Sequence, residues 1–69
     1  MRDIIFFQLE DQHGGTLEAY VGVDMSIVES RENLLLLRTF GDADAAAAFY
    51  RDMGGRHKGL RMRFVTIRE

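Results

Sequence analysis

Gly41-Asp42-Ala43-Asp44-Ala45-Ala46-Ala47-Ala48-Phe49-Tyr50-Arg51-Asp52-Met53-Gly54-Gly55 is the stretch that decides the fold of this 69-residue chain. It reads as one sharply bounded helix in a sequence otherwise composed of strand-like segments. Asp42 is placed to accept a hydrogen bond from an amide of the first turn, and Asp44 puts negative charge where the helix dipole favours it. Gly54-Gly55 supply a left-handed C-terminal cap. At about 100° per residue, Ala45, Ala46, Phe49, Tyr50 and Met53 share the arc expected to face a core. Asp44, Ala47, Ala48, Arg51 and Asp52 take the opposite arc.

Working outward, residues 16–25 alternate cleanly. Leu17, Ala19, Val21, Val23 and Met25 are expected inward, with Thr16, Glu18, Tyr20, Gly22 and Asp24 outward. Residues 3–10 form a second strand, with Ile5, Phe7 and Leu9 on one face and Ile4, Phe6, Gln8 and Glu10 on the other. His13-Gly14-Gly15 supplies the turn between them. Leu60 to Glu69 forms a strand whose phase slips near Phe64 and Val65. Either a bulge or partial cover on both faces accounts for that slip. Residues 26–40 are ambiguous. Ser26 with Glu29 fits a capping box and a helix. Arg31-Glu32-Asn33 reads as a turn, and Leu34 to Phe40 reads as a strand covered on both faces, which is the favoured reading. The expectation is an α+β single domain over 1–69, a four-stranded antiparallel sheet with one helix on one face in the order β-β-β-α-β. One helix leaves Ile4, Phe6 and half of Leu34–Leu37 as an exposed apolar patch, a candidate for dimerisation.

Size and composition narrow the function classes. A chain this short buries only about 60% of its unfolded surface. It has no cysteine, hence no disulfide and no thiolate metal site, and only His13 and His57 offer imidazoles. Self-association is the expected remedy for a small core without staples. The longest apolar run, Ala45 to Tyr50, is far short of the roughly 20 residues of a membrane span, and the N-terminus lacks a signal-peptide pattern. A cytoplasmic protein is expected. Residues 1–52 hold ten acids against four arginines, while residues 53–69 hold Arg56, Lys58, Arg61, Arg63 and Arg68 against Glu69 alone.

No motif carries catalysis. The hydroxyls of Ser26, Ser30, Thr16, Thr39 and Thr66 lie outside any nucleophile-elbow context, and no metal-ligand spacing occurs. The expectation is a non-enzyme with no cofactor, metal or small-molecule substrate. Gly54-Gly55-Arg56-His57-Lys58-Gly59 resembles a phosphate loop but follows a helix, so it reads as a cap followed by cations that suit a helix C-terminus. Arg61, Arg63 and Arg68 around Phe64 point to nucleic acid, with pairing to Glu18, Asp24 or Glu29 as the plainer account. Phe64 is expected in the core. Asp42, Asp44 and Asp52, with Glu18 and Asp24, define an acidic surface suited to a groove built for a nucleic-acid backbone. The other account of those acids is a solvated face.

In size, acidity and the sequence of a helix like Asp42–Met53 followed by a Leu60-Arg-Met-Arg-Phe-Val-Thr-Ile67 strand, the chain is similar to the small phage-encoded anti-CRISPR proteins. The likeness is one of style over the whole chain and rests on no shared motif. It implies a non-catalytic inhibitor that binds a host CRISPR effector complex and blocks its access to nucleic acid. The runner-up is a nucleic-acid-binding accessory domain using Arg56, Lys58, Arg61 and Arg63, and a homodimeric subunit is the third reading.

Overall fold

The computed structural model describes residues 2–69. The expected helix is α1 (Ala43–Asp52), and its two ends are closed by the residues singled out for them. The Asp42 carboxylate accepts the Asp44 N–H at 2.9 Å. At the other end Gly54 (φ 68°) turns left-handed, its N–H bonding the Arg51 carbonyl while the Gly55 N–H bonds the Tyr50 carbonyl. This is the paired 5→2 and 6→1 arrangement that glycine makes sterically free.

Five strands form one antiparallel sheet in the order β3-β2-β1-β5-β4, one strand more than expected. β1 (Asp3–Glu10) lies at the centre, flanked by β2 (Thr16–Val21) and β5 (Leu60–Arg68), with β3 (Ile27–Val28) and β4 (Arg56–His57) outside them. β1 and β5 pair without interruption from Asp3↔Arg68 to Glu10↔Arg61. The phase slip in β5 is therefore not a bulge. Met62 faces the helix while Val65 and Ile67 face away from it, because apolar material covers both sides of the sheet. The register irregularity lies instead between Gln8 and Glu10, where β1 meets β2.

The helix side holds Ile5, Phe7, Leu9, Val21 and Met62 beneath Ala46, Phe49, Tyr50 and Met53. Phe7 is its hub, with the Phe49 and Tyr50 rings at 5.6 and 6.2 Å. Ala45, expected in the core arc, is exposed, and Ala47 and Ala48 are half-buried. The helix has thus rolled so that Ala46 is the one alanine of α1 fully buried against the sheet, beside Phe49, Tyr50 and Met53.

The opposite side corrects the sequence reading most. Residues 26–40 are neither a helix nor the expected strand. Asn33 caps a 3-10 turn at Leu34–Leu36, its Oδ1 accepting the Leu35 N–H at 3.1 Å. The chain then runs back beside the sheet, touching it at Gly22↔Leu37 and Ile5↔Phe40. Leu34 and Leu37 close over Phe6, Tyr20 and Val28 as a second core. Phe6, expected exposed, is 0% accessible, and Tyr20, expected outward, is buried beside it. Val23, expected inward, is exposed instead because β2 ends at Val21 and the chain turns. The leftover apolar patch thus reduces to Leu35 and Leu36 on the turn with Val23 and Ile27.

Candidate functional site

The acidic candidates separate into engaged and free groups. Asp42 is consumed by capping α1. Asp24 accepts from both the hydroxyl and the N–H of Ser26, closing the turn after β2. Those two hydrogen bonds, helped by the nearby Lys58 ammonium, hold its carboxyl below the usual aspartate range. Glu18 accepts the Tyr20 hydroxyl at 2.6 Å. Asp44 and Asp52 differ: both are exposed on α1, and their carboxylates meet no hydrogen-bond donor or cation among the described residues. Three of the five acids are thus tied into internal hydrogen bonds, and the helix presents the other two unencumbered.

The basic candidates gather more closely than their spacing suggests. Arg56-His57 does not merely trail the helix; it forms β4, which pairs with β5 through Arg56↔Arg61 and His57↔Leu60. The connecting Lys58-Gly59 turn has φ of 52° and 83°, the two left-handed residues that a two-residue hairpin demands. Arg56 and Arg61 stand directly opposite each other, and Arg63 is two residues along on the same face. That face is the one away from the helix, shared with Glu10 opposite Arg61 and Gln8 opposite Arg63. Like charges directly opposed across a ladder repel. The expected pairing with Glu18, Asp24 or Glu29 is not found: among the described residues the one ion pair is Arg68 with Asp3, at 3.1 Å and exposed. Phe64 is not a core residue either. It lies on the helix face, its ring tilted against Phe7 and Tyr50 with centroids at 4.8 and 5.0 Å, yet 44% exposed.

The sequence reading missed this opposition of arginines. Lys58-Gly59 between an Arg-His pair and a Leu-Arg pair was its signal, since such a dipeptide flanked by strand residues favours a tight hairpin.

Two further features are distinct from these charged groups. An open groove of about 410 Å³ runs between the 3-10 turn and the ends of β1 and β5, where Arg2, Glu32 and Glu69 mix both signs of charge around Ile4 and Leu34. His57 is buried, and its Nε2 is unpartnered among the described residues. No group of three or more potential metal ligands converges among the described residues, and no helix there is long and apolar enough to cross a membrane. No protein-family model, curated protein or solved structure matches this chain.

Proposed function

We propose that this chain is a small non-catalytic interaction protein that acts in the cytoplasm, docking through helix α1 on a larger host nucleoprotein complex and obstructing its nucleic-acid site. An anti-CRISPR-like inhibitor of a CRISPR effector is the specific form of this reading. Its main support is the pair Asp44 and Asp52, exposed and unengaged on a helix fixed at both ends. Carboxylates held in this way enter a cationic groove without first surrendering internal contacts, and they compete there with phosphate. Replacing both with lysine takes the net charge from −2 to +2. Titrated against purified CRISPR effector complexes, the Asp44→Lys/Asp52→Lys variant is expected to bind at least about tenfold more weakly, a loss of roughly 1.4 kcal/mol, with unchanged far-UV circular dichroism. Undiminished affinity removes the helix acids from consideration.

A second reading, a nucleic-acid-binding accessory domain, is favoured by the opposition of Arg56 and Arg61 beside Arg63. A phosphate lying across the β4–β5 hairpin relieves the repulsion between Arg56 and Arg61, where three cationic residues share a face with the Glu10 carboxylate opposite Arg61.

A further inference from the structure

The sheet ends on one side in an edge that β4 covers only in part. β5 is nine residues long, but β4 pairs with it only at Leu60 and Arg61, and the Gly55 carbonyl takes the Met62 N–H. Beyond Met62 no strand pairs with the outer side of β5 among the described residues. The direction of its backbone groups follows from the ladder. Arg2 and Glu69 exchange both hydrogen bonds, so Ile67, Val65, Arg63 and Arg61 bond inward to β1 in alternation. Phe64, Thr66 and Arg68 therefore turn their N–H and C=O groups outward, where they meet no other backbone among the described residues. The exposed stretch is rich in β-branched residues and contains no proline, the combination that recruits another strand.

We propose that this edge docks a second copy of the chain, β5 against β5 in antiparallel register about a two-fold axis at Thr66. Side-chain chemistry fits the same register. On the face away from the helix, Arg63 comes opposite the second copy's Glu69, and half-buried Val65 comes opposite the second copy's Ile67. On the helix face, Thr66 meets its own counterpart, and the exposed Phe64 ring meets the second copy's Arg68 guanidinium. A shift by two residues in either direction loses the Arg63–Glu69 opposition or runs the pairing into Gly55. The product is one continuous ten-stranded sheet. This proposal is independent of the helix acids, and it replaces the leftover apolar face as the basis for self-association.

Sedimentation equilibrium of the wild-type chain should show a dimer whose population rises with concentration. Amide exchange should slow in step at Phe64, Thr66 and Arg68, while the β1-bonded amides of Val65 and Ile67 stay protected throughout. Arg63→Glu should give a monomer, and Arg63→Glu/Glu69→Arg should restore the dimer by exchanging the two charges. Thr66→Cys should be joined between two copies by a short bismaleimide linker, because a directly opposed hydrogen-bonded pair has Cα atoms only about 5.5 Å apart. Ile27→Cys, on the other sheet edge, should not. A wild-type chain that stays monomeric at millimolar concentration overturns the proposal. So does a dimer whose Thr66 amide exchanges freely, or one that the charge exchange fails to restore.

Discussion

Tyr20 shows how one side chain resists a reading by alternation. Its position in the inside-outside pattern of residues 16–25 points it to solvent, but it lies edge-on to Phe6 with ring centroids 5.8 Å apart and donates its hydroxyl to Glu18. Burial first, and then the Glu18 carboxylate, push the phenol above its ordinary value of 10.0. The folded chain therefore holds this proton more tightly than the unfolded chain. Its contribution to stability is complete below pH 10.0 and is lost as the pH rises through the folded value. Tyr20→Phe should cost about 1 kcal/mol at neutral pH for the lost hydrogen bond. The same variant should decline less steeply than wild type in denaturant titrations above pH 10. Equal alkaline slopes in the two proteins would show that Tyr20 does not carry the effect. Alternation encodes which side of a strand a residue takes, but not whether something covers that side.

The elements differ in how far the sequence determines them. α1 is legible to the residue because a side-chain cap and a glycine pair close it locally. β1 and β5 are legible as strands, although their burial on both faces blurs the phase from which sidedness is read. β4 escapes because two residues are too few to show a period, and only the Lys58-Gly59 turn betrays it. Residues 26–40 escape for another reason: Asn33 winds Leu34–Leu36 locally, and only contact with Phe6 and Tyr20 decides where Leu37 goes. Leu37 is thus the pin of a cover that has no regular structure of its own. Leu37→Ala should cost about 2–5 kcal/mol by leaving a cavity over Phe6, measured as a shifted denaturant midpoint. In a chain this small that is a large share of the total stability. Leu35→Ala, two residues earlier in the chain and 86% exposed, should be nearly silent in the same measurement.

At the scale of the whole molecule, the unequal charge of the two sequence halves does not become two opposed poles. Asp24 folds to within reach of the Lys58 charge, Glu10 lies opposite Arg61, and Asp3 pairs with Arg68, so much of the imbalance is interleaved. What stays concentrated is positive charge at Arg56, Arg61 and Arg63, three cations beside the Glu10 carboxylate, and negative charge at the helix pair Asp44 and Asp52. Sequence could supply the members of both groups, but the register that opposes two arginines exists only once the hairpin closes. If that trio grips phosphate, affinity for a DNA or RNA oligonucleotide should fall with added salt at a logarithmic slope of about −2 to −3, one increment per arginine. Arg61→Gln should flatten the slope by about one. A flat titration at low ionic strength rejects nucleic acid as the ligand. β1, meanwhile, is insulated above by the helix and below by the 3-10 cover, and Ile5–Phe7 is buried throughout. Over evolutionary time such a central plank tolerates little drift, whereas the helix exterior and the rims are free to diverge. Ile5-Phe6-Phe7 is therefore where distant kin of this chain should still be recognisable after the rest of the text has been rewritten.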